Sequence, residues 1–161
     1  TGGFGSSLSL RGTEWIIAGA PGDDTGANDA GAAHLLKTDG TLLATFLNPT
    51  PSSSDNFGQS VAIVNDNAIA VGAYRDDTGA TDAGAVYLFD AAGNLIRTFD
   101  NPTPEPFERF GFSLTALDDN RFFIGAYTDE LAAGDAGAVY LYNVDGTLEQ
   151  TIVPPNPAAA P

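Results

Sequence analysis

The chain of 161 residues contains no cysteine, which excludes a disulfide framework and any thiolate metal site and leaves its redox compartment open. Its only histidine is His34, so no histidine-based nucleophile–base pair of the familiar kind can be assembled. Basic residues number six against 21 acidic ones, a formal net charge of −15. At neutral pH such a chain repels phosphate backbones and anionic bilayer surfaces, which disfavours nucleic acid and leaves cations, basic surfaces or neutral ligands such as sugars. A plain solubility role accounts for the same charge. No apolar run approaches the ~20 residues a membrane-spanning helix requires, so no membrane insertion is expected. The chain starts at Thr1 without methionine or a charged-then-apolar leader, and so reads as a processed chain or an excised fragment.

What is present is apolar material for a core: 43% hydrophobic residues and a mean hydropathy of −0.04 argue against disorder. Nineteen glycines and ten prolines, with Val, Ile, Phe and Tyr as the bulk, suggest short strands joined by tight turns. The chain also repeats. Phe4-Gly5, Phe57-Gly58 and Phe110-Gly111 are spaced by 53 residues, as are Gly19-Ala20, Gly72-Ala73 and Gly125-Ala126, and Asp29-Ala30-Gly31, Asp82-Ala83-Gly84 and Asp135-Ala136-Gly137. There is no insertion or deletion between copies, and a fixed period of this size marks a repeat architecture.

In the middle copy, apolar runs at Ser60 to Val64 and Ala68 to Ala73 flank Asn65-Asp66-Asn67, and runs at Ala85 to Phe89 and Leu95 to Phe99 flank Asp90-Ala91-Ala92-Gly93-Asn94. Each pair reads as a hairpin. The first two strands are apolar on both faces, as in a sheet sandwiched between neighbours, whereas the fourth carries Arg97 and Thr98 as an exposed edge would. Proline-rich segments, Asn48-Pro49-Thr50-Pro51 and Asn101-Pro102-Thr103-Pro104, then lead out of the sheet, and Pro154-Pro155-Asn156-Pro157 closes the third copy. The expected fold is all-β: three four-stranded antiparallel β-propeller blades of 53 residues in a single repeat domain over 1–161 (blades at about 4–56, 57–109 and 110–161). A linear β-solenoid is the alternative.

Phe-Gly-x-Ser-Val/Leu, an apolar run into Gly-Ala-Pro/Tyr, and Gly-Ala-Val-Tyr-Leu-Phe/Tyr together resemble the FG-GAP repeat of integrin α propellers and many bacterial secreted or surface proteins. Phe4-Gly5 with Gly19-Ala20-Pro21 preserves both eponymous elements. The resemblance implies an extracellular or cell-surface, non-catalytic binding or adhesion module. Integrin-like members hold calcium on an Asp-x-Asp-x-Asp-Gly loop between the first two strands. Here that connection shrinks to Gly12-Thr13-Glu14, Asn65-Asp66-Asn67 or Asp118-Asp119-Asn120, so no calcium site carries over to it.

Acidic loops lie instead between the second and third strands. Asp23, Asp24, Asn28 and Asp29 sit in the first loop, Asp76, Asp77 and Asp82 in the second, and Asp129, Glu130 and Asp135 in the third. Two readings stand. Carboxylates on a glycine-containing loop are a start toward the six to eight oxygens calcium takes, and the expectation is calcium on at least the first two loops. In the other reading the first Asp caps a turn, the second faces water, and the Asp before Ala-Gly fixes the entry to the third strand.

Residues that break the repeat are the place to look for catalysis, and few candidates do. His34 falls where the other copies have Tyr87 and Tyr140, and reads as a strand residue. Ser7, Ser60 and Ser113 recur in phase and read as inner-strand hydrogen-bonders. Asp76 and Asp77 are adjacent in one loop, which does not suit glycosidase acids facing each other across a substrate. Trp15 aligns with Ala68 and Arg121 and reads as an exposed strand start, with sugar stacking as the alternative. The chain is not expected to be an enzyme; a structural array element is the main rival to a binding module, and a hydrolase a minor one. Propellers close with about four to eight blades, so three blades leave open flanks. The expected partner is a second copy completing a six-bladed ring, or further blades of a longer chain, besides a carbohydrate or protein ligand.

Overall fold

The computed structural model describes residues 2–132 and 134–155, and in them it contains twelve strands and no helix. The first sheet comprises β1 (Leu8–Arg11), β2 (Trp15–Ala20), β3 (Ala32–Lys37) and β4 (Leu42–Leu47). The second is β5 (Ser60–Asn65), β6 (Ala68–Ala73), β7 (Ala85–Phe89) and β8 (Leu95–Asp100), and the third is β9 (Phe110–Ala116), β10 (Arg121–Ala126), β11 (Ala138–Asn143) and β12 (Leu148–Ile152). Every sheet is an antiparallel meander in chain order. A register shift recurs between the third and fourth strands at Leu35/Leu36, Leu88/Phe89 and Leu141/Tyr142. The expected middle-blade strands are reproduced, with β5 and β8 each one residue longer than the apolar runs implied.

Side-chain alternation places the two cores. On β5, β6 and β7, Val61, Ile63, Ile69, Val71, Tyr87 and Phe89 pack toward Ile17, Leu35 and Phe46 of the first sheet. Their neighbours Ala62, Val64, Ala68, Ala70, Val86 and Leu88 pack toward Phe110, Phe122, Ile124, Tyr140 and Tyr142 of the third. A period of two along a strand sends successive residues to opposite faces, so a strand sandwiched between sheets must be apolar throughout. The flanking blades lack one neighbour, and β1 and β9 are correspondingly more exposed than β5.

The sheets fan rather than stack straight. Arg11, at the end of β1, reaches Asp66 Oδ1 in the β5–β6 turn with Nε (2.9 Å) and Asp119 Oδ1 in the β9–β10 turn with Nη1 (2.7 Å). One side chain can touch turns of both later sheets only if the inner strands of all three converge. This radial arrangement is that of propeller blades, and the solenoid alternative does not describe it. The Arg11 pairs are exposed, and such pairs contribute little to stability in water.

The Phe-Gly pairs form the junctions between sheets. Phe57 and Phe110 are both 0% exposed; Phe57 N donates to Ala30 O at 3.0 Å and Phe110 N to Ala83 O at 2.8 Å. Ser7 Oγ donates to Gly58 O (2.8 Å) and Ser60 Oγ to Gly111 O (2.6 Å), so these two serines, read from the sequence as inner-strand hydrogen-bonders, bond to the next blade. Trp15 departs from expectation: it is half-buried and packs against the core between the first two sheets.

Candidate functional site

The acidic loops and the proline-rich connectors meet at one end of the fan. In the first connector Asn48 Nδ2 donates to Asp55 Oδ2 at 2.8 Å and Ser52 N donates to the same oxygen at 2.7 Å. The second repeats this with Asn101 Nδ2 and Glu105 N on Glu108 Oε2, at 2.7 and 2.8 Å. Thr50 lies 2.7 Å from the Tyr87 hydroxyl, which donates to Asp76 Oδ2 at 2.7 Å. Tyr140 donates likewise to Asp129 Oδ2 at 2.6 Å. Each connector is thus clasped to the following blade through a buried acid and a buried tyrosine. Burial pushes both phenols up, so they stay protonated and remain donors.

The loop residues named from the sequence are engaged as follows. Asp23 Oδ1 accepts from Thr25 N at 2.8 Å, and Asp24 Oδ1 from Asp29 N at 2.9 Å. Asn28 Nδ2 donates to Asp29 Oδ2 at 3.0 Å. In the second loop Asp76 Oδ1 accepts from Thr78 N and Asp77 Oδ1 from Asp82 N, both at 2.9 Å. In the third, Asp129 Oδ1 accepts from Leu131 N at 2.8 Å, and Glu130 is exposed. Asp29, Asp82 and Asp135 take positive φ of 52°, 52° and 54°, a conformation that Asp tolerates better than most residues. The first acid of the second and third loops is buried among hydrogen donors, while the second acid of the first two loops, Asp24 or Asp77, caps the loop's own backbone. Among the described residues no group of three or more His, Cys, Asp or Glu is arranged to hold a metal ion.

Asp55 was not singled out in the sequence, although an acid seven residues after the Asn of each Asn-Pro-Thr-Pro segment was there to be read. Burial, reinforced by the charge of Asp76, outweighs the hydrogen bonds from Ser52 and Asn48 and pushes its carboxyl up to about 6. An unfolded Asp titrates near 3.9. The folded chain therefore takes up this proton at higher pH than the unfolded chain, so the contribution of Asp55 to stability rises as pH falls from about 6 toward 4. Asp23, Asp39 and Asp90 are held below the usual range by hydrogen bonds from Thr25, Thr41 and Asn94, and they lose stabilisation on further acidification. The melting temperature is expected to peak near pH 5, about 2–4 °C above its value at pH 7 for an effect on the order of 1 kcal/mol. Asp55→Asn should flatten the rise; a wild-type profile unchanged by that substitution would remove Asp55 as its source.

A second feature at the same end does break the repeat. Tyr74 and Phe112 meet edge to face at 5.3 Å, and Phe112 and Tyr127 are tilted by 60° at 4.5 Å. The guanidinium of Arg75 lies 5.6 Å from the Tyr74 ring, and that of Arg109 lies 5.9 Å from Tyr74 and 5.5 Å from Tyr127. Arg109 Nη1 donates to the Tyr127 hydroxyl at 2.6 Å. Among the described residues, the Nε atoms of both arginines are buried without a partner. One copy earlier the position of Arg109 holds Asn56, whose Nδ2 donates to Pro21 O at 3.2 Å.

The backbone marks the same place. Ser54 and Asn56 in the first connector have φ of 71° and 55°, and the second connector repeats this with Phe107 at 69° and Arg109 at 60°. Positive φ is costly for bulky residues, so the second copy keeps a strained conformation while carrying large side chains on it. Sequence reasoning missed this cluster, although Arg75, Arg109 and Phe112 replace Gly22, Asn56 and Gln59 of the preceding copy. At the opposite end, Trp15 lines an open groove of about 500 Å³ with Arg11, Thr13, Glu14 and Asp66.

Residues 44–89 match the FG-GAP repeat, a span running from β4 through the first connector to the end of β7. No curated protein matches the chain. Among solved structures, a Bacteroides caccae protein of unknown function aligns with 91% of this chain and 44% of its own length, at a TM-score of 0.54 and 11% identity. The WD40 β-propeller domain of Doa1 aligns with 93% of this chain and 53% of its own length, at a TM-score of 0.51 and 16% identity. These similarities are of fold, and the chain spans about half the length of the structures it matches. FG-GAP repeats are typical of extracellular or surface proteins. The chain is therefore a repeat protein of β-propeller-type fold in which residues 44–89 match the FG-GAP repeat.

Proposed function

We propose that the chain is a non-catalytic binding module of a secreted or surface protein, and that its contact surface is the Tyr74–Arg75–Arg109–Phe112–Tyr127 cluster. The observation that carries this reading is the bulky pair Phe107 and Arg109 on backbone with φ of 69° and 60°, where the preceding copy has small polar residues. A strained position occupied by a costly side chain suggests selection for that side chain. Two of the chain's six basic residues gather there against aromatic rings, and Arg and Tyr are residues enriched at recognition surfaces. Guanidinium groups pair with carboxylates in a planar, two-pronged geometry, while ring faces cover apolar C–H surface. Against the chain's net negative charge, this local pair of guanidinium groups beside aromatic rings fits an acidic carbohydrate.

The acidic loops belong to a different task in this reading. The first carboxylate of each loop and the second of the first two loops face N–H and O–H donors, and we assign them to fastening connector and blade rather than to calcium. A glycan array spanning neutral and uronic-acid oligosaccharides tests the ligand, with calcium added or chelated in parallel. Retention of acidic glycans alone is expected, at least tenfold weaker for Arg75→Ala/Arg109→Ala and indifferent to chelation. If no acidic glycan is retained, the ligand assignment falls and the structural array element stands; calorimetric uptake of calcium would return the loops to a metal role.

A further inference from the structure

The two junctions inside the chain define what a third would need. At each, a Phe-Gly pair enters a socket built by a Ser at the head of the first strand or just before it, a Gly on the second, and a Gly-Ala pair at the start of the third. Ser7, Gly19 and Gly31-Ala32 receive Phe57-Gly58; Ser60, Gly72 and Gly84-Ala85 receive Phe110-Gly111. The fit depends on the missing side chains: a Cβ on Gly31 would meet Phe57 O at 2.0 Å, and one on Gly84 would meet Phe110 O at 2.1 Å.

The third sheet carries the same socket, and no described residue fills it. Ser113, Gly125, Gly137 and Ala138 line two adjoining grooves of about 410 and 400 Å³ whose apolar walls include Val139 and Phe123. At the other flank stands an unused Phe-Gly. Phe4 is 63% exposed, yet the pair is already in its docking conformation. Gly5 has φ of 88° beside 89° and 85° for Gly58 and Gly111. Gly5 N donates to Gly19 O at 2.9 Å, as Gly58 N does to Gly72 O, and Phe4 lies 5.6 Å from His34 where Phe57 lies 5.9 Å from Tyr87.

We propose that the open face of the third sheet receives Phe4-Gly5 of a second copy, two copies joining head to tail at two such junctions. The internal junctions supply the occupant: plug and socket are the same residue types, in the same backbone geometry, as pairs that already fit. Both halves are pre-formed, which lowers the ordering cost of association. In the joined form Phe4 N donates to Ala136 O, as Phe57 N does to Ala30 O, and Ser113 Oγ donates to Gly5 O. A head-to-tail contact closes only at a ring size that its rotation permits. Rings hold about four to eight blades, and copies of this 161-residue, three-sheet chain reach that range only as six blades from two copies. Tyr127 lines one of these grooves as well as the arginine–aromatic cluster, but the two readings are tested apart, one by glycan retention and the other by mass.

Sedimentation equilibrium and native mass spectrometry of the 161-residue chain at micromolar concentration test this. The expected species is two 16.5-kDa copies. Phe4→Asp and Val139→Asp, both at exposed positions (63% and 37%), should each shift the chain to monomer with an unchanged circular-dichroism spectrum. Mixing the two variants should restore a dimer, because one junction then pairs an intact Phe4 with an intact socket. A monomeric wild type, a ladder of larger species, a dimer that survives either substitution, or a mixture that stays monomeric would each overturn the proposal.

Discussion

Phe110→Ala is expected to destabilise the protein by about 3–5 kcal/mol, the range for truncating a buried aromatic side chain. Phe110 is fully buried between the second and third sheets, 5.5 Å from the Tyr140 ring and 6.3 Å from Tyr142. Its backbone is pinned by the bond to Ala83 O, so the surroundings cannot collapse freely into the space left behind, and the cavity adds to the lost transfer energy. Phe4→Ala is the matched control, with the same residue type in the same unit position but facing solvent, where substitutions usually stay within about 0.5 kcal/mol. Urea denaturation of both variants, held at concentrations where the chain is monomeric, measures the difference. Equal losses would mean that the Phe-Gly junctions are not what holds the sheets together.

Gly84→Ala is expected to be comparably damaging for a different reason. Gly84 has φ of 86°, where an L side chain costs roughly 1–2 kcal/mol, and its added Cβ would lie 2.1 Å from Phe110 O and 2.7 Å from Phe110 N. Those atoms are backbone, so relief requires the third sheet to move away from the second, and overpacking of this kind typically adds about 1–3 kcal/mol. Gly40 separates the two contributions: its φ is 90°, but nothing lies within 4 Å of a Cβ there. Gly40→Ala should therefore show the backbone cost alone. If both alanine variants unfold at the same urea concentration, the close approach at Gly84 does not limit the junction.

The second sheet was the most legible part of the chain because both of its faces are buried, leaving its strands as uninterrupted apolar runs between turn residues. The flanking copies have the same spacing, and the same strands follow in phase. Chemistry at the rim was harder to read. Asp76 and Asp77 are neighbours of identical type, yet Asp76 is buried under Tyr87 while Asp77 is exposed and caps Asp82 N. Only the closure of the connector over the loop, with Thr50 reaching Tyr87, distinguishes them. Trp15 looked unconstrained because its aligned positions hold Ala68 and Arg121; the side chain packs inward because the next blade covers it.

Arg75, Arg109 and Phe112 were visible as breaks in the repeat, but their meaning was not. They belong to a loop, a connector and a strand, and they gather because the third blade's first strand packs across the second strand of the blade before it. Period, strand order and the Phe-Gly and Gly-Ala positions follow from the sequence alone, since they rest on local turn chemistry and on two-residue alternation. Which carboxylates are buried, which Phe-Gly pair is left without a socket, and where guanidinium meets aromatic ring were decided by the tertiary structure. Those properties depend on how neighbouring blades cover one another, and residues far apart in the chain set that together.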